Sequence, residues 1–111
     1  MVIIETSIFT RQVRALLSEE EYRQLQTALV LHPNLGAVIP DSGGLRKARW
    51  LTSGCGKGGG VRVIYFREVA QDKILMLLMY AKNEQDDLMP AQLKVLREMV
   101  EEESHERRII C

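Results

Sequence analysis

Cysteine, aromatic residues and long hydrophobic runs are all scarce in this chain of 111 residues. The two cysteines, Cys55 and Cys111, are too few for a disulfide framework, and neither has neighbours at the spacing of metal ligands. This scarcity favours a reducing compartment, so we expect a cytoplasmic protein. The longest apolar run, residues 74–81, is far too short to span a bilayer, and the first residues do not resemble a signal peptide. We therefore expect no membrane association.

The composition indicates a single globular domain. Apolar residues make up 46% of the chain and charged residues 27%, which disfavours both a membrane protein and a disordered chain. A chain of this length can bury one core without disulfide or metal staples. Since no internal repeat is visible, we predict one domain over residues 1–111, with a frayed tail over residues 104–111.

The balanced charge hides an uneven distribution along the chain. Lys plus Arg and Asp plus Glu each number 15, and the resulting net charge of 0 excludes a uniformly basic nucleic-acid-binding protein. Residues 41–82, however, carry eight basic and three acidic side chains, whereas residues 83–106 carry two basic and eight acidic ones. The middle of the chain is therefore a cationic block, which predicts a negatively charged partner.

Local patterns in the first 44 residues predict one strand and two helices. A β-branched run over residues 2–4 indicates a strand. Thr6 or Ser7 can cap a first helix, and Ser18 and Glu21 have the spacing of a capping box that opens a second one. Pro33 ends the second helix, and the prolines and glycines that follow predict a loop over residues 34–44.

Three strands and one helix are predicted for the rest of the chain. Alternation and apolar runs indicate strands over residues 45–51, 61–67 and 74–80, with a glycine-rich hairpin loop over residues 53–60. Pro90 suits the first turn of a closing helix. Short connections favour an antiparallel meander, with the first strand in the same sheet and the early helices on one face. The predicted fold class is therefore α+β with a mainly antiparallel sheet.

Cationic side chains gather on the predicted meander. Its first strand carries Lys47 and Arg49 on one face and Arg46 on the other. Three more lie in the glycine loop, at the start of the next strand and after the last strand: Lys57, Arg62 and Lys82. They can be ordinary solvated side chains, but like charges opposed across a sheet destabilise it, so for the whole set we favour a site for a polyanion.

Other familiar sites are disfavoured by spacing. The loop around Lys57 lacks the pattern of a nucleotide-binding P-loop and does not open a helix. No Ser–His–acid arrangement is visible. His32 beside Pro33 and His105 in the tail lack the spacing of a zinc site. We therefore expect neither a metal nor a cofactor.

Three segments together resemble the HigB-like branch of the RelE/ParE toxin superfamily: GGLRKARW at residues 43–50, the glycine–lysine loop ending in GGVRVIYF at residue 66, and LLMYAKNEQDDL at residues 77–88. The likeness covers about residues 2–100. It implies a small RelE-like α+β fold and the toxin of a type II toxin–antitoxin system, an mRNA interferase that cuts mRNA in the ribosomal A site without metal. It also implies three partners: the ribosome, mRNA and a cognate antitoxin, often of the helix-turn-helix type. The family loop often reads GKRGG, whereas this chain has Gly58 after Lys57.

Metal-free RNA cleavage suggests a role for each cationic residue. The reaction needs a deprotonated 2′-hydroxyl, stabilised charge on the phosphate and a protonated leaving 5′-oxygen. Arg62 is the predicted phosphate clamp, with Arg46 and Arg49 as further candidates, because a guanidinium binds phosphate in bidentate fashion. Lys57 and Lys82, crowded by other cations, are candidates for proton exchange, and Tyr80 adds its hydroxyl if it faces the side of Lys82. The predicted RNA- and ribosome-binding residues are Arg46, Lys47 and Arg49.

Two other functions stay open from the sequence. The same superfamily includes toxins that inhibit DNA gyrase, and the fold does not separate them from ribonucleases, although Lys57 and Lys82 favour RNA. The other alternative is a non-catalytic module that binds RNA or protein, because one cation is missing at Gly58.

Overall fold

The structure, a computed structural model, describes residues 1–51, 60–82 and 88–110, with side chains described through residue 102. The elements follow in the order β1 (Val2–Glu5), α1 (Ser7–Leu16), α2 (Glu19–Leu31), β2 (Ala37–Val38), β3 (Arg46–Trp50), β4 (Val61–Glu68), β5 (Lys73–Ala81) and α3 (Pro90–Ile110). Within these ranges no helix combines the length and the apolar character needed to cross a membrane.

The strands of the described residues form one mixed sheet in the order β1-β5-β4-β3-β2. The predicted antiparallel meander of β3, β4 and β5 is confirmed, as is the α+β class with a mainly antiparallel sheet. β1 pairs with β5 in parallel, and β2 pairs with β3 antiparallel. The predicted loop over residues 34–44 is wrong at β2, because a strand of two exposed residues shows no hydrophobic alternation.

Side-chain caps fix where α1 and α2 begin. Thr6 caps α1, since its hydroxyl accepts a hydrogen bond of 3.0 Å from the Phe9 N–H. At α2, the Ser18 hydroxyl accepts the Glu21 N–H at 3.1 Å while the Glu21 carboxylate accepts the Ser18 N–H at 2.9 Å, so the predicted capping box is confirmed. α2 ends at Leu31, just before the proline that predicts its end.

α1 and α2 pack on one face of the sheet, called here the α1–α2 face. The core on this side joins both helices to β3, β4 and β5: Phe9, Val13, Leu17, Leu25, Leu29, Ala48, Val61, Val63, Tyr65, Ile74, Met76 and Met79. Each large apolar side chain buried in this way stabilises the fold by about 1.5–3 kcal/mol. The prediction that the early helices cover one face is confirmed.

α3 covers the opposite face, called here the α3 face. The core on this side contains Leu45, Ile64, Leu75, Leu77, Tyr80, Leu96 and Val100. β5 contributes to both cores, because its nearly continuous apolar run is covered on both faces of the sheet. The backbone of residues 104–110 is helical, where the sequence predicts a frayed tail.

Candidate functional site

Arg49, Arg62 and Tyr80 form a row across three strands. In the register of the sheet, Arg49 of β3 lies opposite Arg62 of β4, and Arg62 lies opposite Tyr80 of β5. Cross-strand partners share a face, with Cβ atoms about 5 Å apart. The sheet therefore brings together two of the predicted catalytic residues, Arg62 and Tyr80, and one of the predicted RNA-binding residues.

The row lies on the α3 face. Tyr80 belongs to the α3-side core and is 5% exposed, whereas Arg62 is half-buried and Arg49 is exposed. Lys47 lies on the same face one step further along β3, opposite Ile64 of the α3-side core. A cationic surface thus runs from Lys47 through Arg49 to Arg62, with the Tyr80 ring at its far side.

A β-bulge in β5 sets the direction of Tyr80. The register passes from Ile64 opposite Leu78 to the next residue of β4 opposite Met76, so Leu77 has no partner on β4. Leu77 and Tyr80 both belong to the α3-side core, although strict alternation would put residues 77 and 80 on opposite faces. The bulge therefore moves the tyrosine to the face of Arg62.

Lys82 lies near the same end of the sheet. It follows β5, is exposed, and its backbone N–H donates to the Gly60 carbonyl at 3.3 Å. Gly60 is two residues before Arg62, so this bond fixes the backbone of Lys82 beside the start of β4. Lys57, the remaining predicted catalytic residue, lies outside the described residues, as does most of the glycine-rich loop.

Arg46 does not belong to this surface. It lies opposite Tyr65, a residue of the α1–α2 core, and donates to the Gly36 carbonyl at 2.6 Å. The Tyr65 hydroxyl accepts the Gly36 N–H at 2.9 Å and donates to the Pro33 carbonyl at 2.9 Å. Arg46 and Tyr65 therefore fasten the loop before β2, and the structure separates Arg46 from Lys47 and Arg49, with which the sequence prediction groups it.

Two tyrosines of the α1–α2 side have perturbed pKa values. Burial, followed by the hydrogen bond and the charge of Glu5, raises the pKa of Tyr22 well above its ordinary value. The Glu5 carboxylate also accepts a hydrogen bond of 2.6 Å from Thr10. Burial likewise raises the pKa of Tyr65. Sequence reasoning misses both networks, because Tyr22 fits an apolar helix stripe and Tyr65 an apolar strand, and neither pattern reveals a distant partner.

Among the described side chains, no histidine belongs to the row. His32 is exposed and forms the C-cap of α2. The side chain of His105 lies outside the described ones. The chemistry open to the row, together with the neighbouring Lys47 and Lys82, is therefore that of guanidinium, phenol and ammonium groups: anion binding, charge stabilisation and proton donation.

Comparison with known proteins supports the fold. No family model matches the chain. Among solved structures, it is similar to a doubly substituted E. coli toxin RelE in the free state, at 15% identity and a TM-score of 0.56 over 77% of this chain and 86% of that one. It is also similar to the intact E. coli RelBE toxin–antitoxin complex, at 12% identity and a TM-score of 0.57 over 72% of this chain and 94% of that one. The chain therefore has the small α+β fold of RelE.

Proposed function

We propose that this protein is the toxin of a type II toxin–antitoxin pair and acts in the cytoplasm as a ribosome-dependent, metal-independent mRNA endonuclease. The observation that carries the proposal is the Arg49–Arg62–Tyr80 row on a sheet with the RelE fold. Arg49 is exposed and Arg62 is half-buried, so both keep surface that a phosphate group can reach. Like charges opposite each other are unfavourable in a sheet, and an anion bound between them relieves that repulsion.

The two arginines supply charge stabilisation. In the proposed step the 2′-oxygen attacks phosphorus and the bond to the 5′-oxygen breaks, which leaves a 2′,3′-cyclic phosphate and a 5′-hydroxyl. Negative charge grows on the non-bridging phosphate oxygens as the reaction proceeds. Fixed guanidinium groups favour that charge most strongly in the transition state, and Arg62 is anchored within a strand, so little ordering entropy is lost.

Protons move between the 2′-hydroxyl, the leaving oxygen and groups at the edge of the row. Tyr80 lies opposite Arg62, and its buried hydroxyl would reach the phosphate or the leaving oxygen only after a side-chain movement that exposes it. Lys82 and Lys57 are the proposed partners for proton exchange. RNA held in the ribosomal A site supplies the orientation of the 2′-hydroxyl, which is a large part of the barrier in such reactions.

Substitution of Arg62 tests the proposal. On programmed ribosomes, Arg62→Ala should slow mRNA cleavage by about a hundred- to thousandfold, the usual effect of losing one positioned charge donor. Arg67→Ala is the matched control, because Arg67 is a half-buried arginine on the same strand but lies on the α1–α2 face, opposite Ile74. Both variants should melt near the temperature of the wild type.

Three results would contradict the proposal. Unchanged cleavage by folded Arg62→Ala removes the anchor of the mechanism. Equal losses in Arg62→Ala and Arg67→Ala point to general electrostatics instead of a site. Intact transcripts together with trapped gyrase–DNA cleavage complexes would show that the protein acts on DNA gyrase instead of mRNA.

We also propose a cognate antitoxin of the helix-turn-helix type as partner. One of the similar structures is a toxin–antitoxin complex, which supports an antitoxin partner, whereas the helix-turn-helix type is proposed from the family resemblance alone. The antitoxin should mask part of the region from Lys57 to Arg62 or keep the protein from the ribosome by its bulk. The test is cleavage on programmed ribosomes with saturating antitoxin, and full activity of the bound complex would contradict the proposal.

A further inference from the structure

Beyond the end of β1, side chains at the start of α1 bind the same edge of β5. The parallel ladder between β1 and β5 ends at Met76. Further along that edge, the Thr6 hydroxyl donates to the Leu77 carbonyl at 3.0 Å, and the Gln12 side-chain carbonyl accepts the Met79 N–H at 2.9 Å. The cap of α1 and one of its glutamines therefore take the place of a neighbouring strand along this part of β5.

These hydrogen bonds lie at the β-bulge that sets the direction of Tyr80. The Thr6 N–H donates to the Met76 carbonyl at 3.1 Å, while the Thr6 hydroxyl donates to the carbonyl of the next residue, Leu77. In a regular strand, successive carbonyls point to opposite edges, so the two carbonyls that Thr6 binds together mark the bulge. Thr6 is itself held in place, because its hydroxyl also accepts the Phe9 N–H as the cap of α1.

The bond from Gln12 acts on the residue that directly precedes Tyr80. With the bulge in place, Tyr80 lies opposite Arg62. If the register before the bulge continued instead, Met79 would lie opposite Arg62, and Tyr80 would lie opposite Val61 on the α1–α2 face. Because α1 and its cap bind the backbone of β5 on both sides of residue 78, they oppose that slip.

We propose that Gln12 is a positioning residue for the Arg49–Arg62–Tyr80 row. Through the Met79 N–H it fixes the backbone of β5 that carries Tyr80, so Gln12 affects cleavage without contact to RNA. The Tyr80 hydroxyl is buried and reaches the phosphate by a side-chain movement, and the position of the backbone decides where that movement ends. A misplacement of about 1 Å can cost about a hundredfold in rate. The inference rests on the proposed ribonuclease activity.

Removal of the Gln12 carbonyl tests the inference with the full-length chain on programmed ribosomes. Gln12→Leu has no acceptor for the Met79 N–H, so the cleavage rate at saturating protein should fall about ten- to hundredfold, while the half-saturating concentration stays unchanged. Gln12→Glu keeps an acceptor oxygen and should restore most of the rate. Gln26→Leu is the matched control, because Gln26 is a half-buried glutamine of α2 whose side chain bonds Tyr22 instead of β5.

A double-mutant cycle with Tyr80→Phe separates positioning from a general loss of structure. Because Gln12 acts through the Tyr80 hydroxyl, Gln12→Leu should slow cleavage by less than about twofold in the Tyr80→Phe background. The full loss in that background, an unchanged rate for folded Gln12→Leu, or an equal loss in Gln26→Leu overturns the inference. Circular dichroism checks the fold of each variant, and if Gln12→Leu fails that check, the same cycle with Gln12→Met decides.

Nuclear magnetic resonance of the same variants separates a failure of the inference from a failure of the proposed function. In Gln12→Leu the Met79 amide should exchange its hydrogen faster and the Tyr80 amide signal should shift, whether or not the wild type cuts mRNA. A wild type that cuts no mRNA contradicts the proposed function alone. Unchanged exchange at Met79 together with an unmoved Tyr80 signal overturns the positioning role of Gln12, even if the wild type is an active ribonuclease.

Discussion

At the scale of the residue, the direction of a side chain separates neighbours of the same charge. Arg46 and Lys47 are adjacent cations, but Arg46 lies on the α1–α2 face and fastens Gly36, whereas Lys47 lies on the α3 face with the row. The separation follows from the alternation of the strand and is readable in the sequence. The partner of Arg46 is not, because Gly36 belongs to a loop whose path only the folded chain defines.

Substitution of Arg46 should therefore affect mainly stability, and substitution of Lys47 mainly cleavage. Arg46→Ala should lower the free energy of unfolding by about 1.5–3 kcal/mol, the usual range for a hydrogen bond to a charged group. Its cleavage rate per folded molecule should match the wild type. Lys47→Ala should keep the stability and slow cleavage. Urea denaturation measures the change in stability, and cleavage on programmed ribosomes measures the change in activity. Slow cleavage by Arg46→Ala at wild-type stability would show that Arg46 belongs to the RNA site after all.

Tyr22 should make stability depend on alkaline pH. Burial and Glu5 raise the pKa of Tyr22 in the folded protein above the unfolded value of about 10. Above that pH the unfolded chain loses a proton that the folded chain keeps, so the free energy of unfolding falls as pH rises. Tyr22→Phe should be less stable at pH 7 and show a shallower fall above about pH 10, where the wild type loses up to about 1.4 kcal/mol per pH unit through this residue. Urea denaturation at several pH values measures both slopes, and equal slopes would contradict the assignment.

At the scale of the element, β5 sets a limit on sequence-based prediction. Its nearly continuous apolar run correctly predicts an interior strand, because both faces are buried. The same run conceals the bulge near Leu77, since alternation is unreadable where every residue is apolar. The direction of Tyr80, and with it the composition of the row, depends on that bulge. Part of the candidate site was therefore beyond sequence reasoning, for the same reason that the strand itself was easy to predict.

Gly60 should be the least replaceable of the described glycines near the row. It has a φ of +74°, and an added Cβ would be 2.1 Å from the Trp50 carbonyl oxygen, so alanine requires the ends of β3 and β4 to separate. Gly43 has the same φ, but the atom nearest to a Cβ added there would be in the side chain of Arg97, 3.5 Å away. Gly43→Ala should therefore lose only about 1–2 kcal/mol from the left-handed backbone, and Gly60→Ala more. Thermal melting compares the two, and equal losses would mean that the strand ends separate freely.

At the scale of the whole molecule, the sequence predicts the layers well and the edges poorly. The long elements follow from caps, prolines and hydrophobic periodicity, each of which acts within a few residues. The edges of the sheet depend on long-range pairing: β1 joins β5 in parallel more than 70 residues away. β2 exists only because β3 lies beside it, which no local pattern in two exposed residues can indicate. The result is one sheet with a core on each side, so its stability depends on helices from both ends of the chain.

Substitutions on α3 test whether the two cores form one cooperative unit. Leu96 is 6% exposed and belongs to the core that joins α3 to β4 and β5, while the adjacent Val95 is 54% exposed. Leu96→Ala should lower the free energy of unfolding by about 2–4 kcal/mol, the usual loss for a buried leucine, and Val95→Ala by less than about 0.5 kcal/mol. Far-ultraviolet circular dichroism and the fluorescence of Trp50, which packs against the opposite core, should report the same midpoint in both variants. If Leu96→Ala shifts only the circular dichroism transition and leaves the Trp50 transition in place, α3 unfolds separately and the α1–α2 core is stable without it.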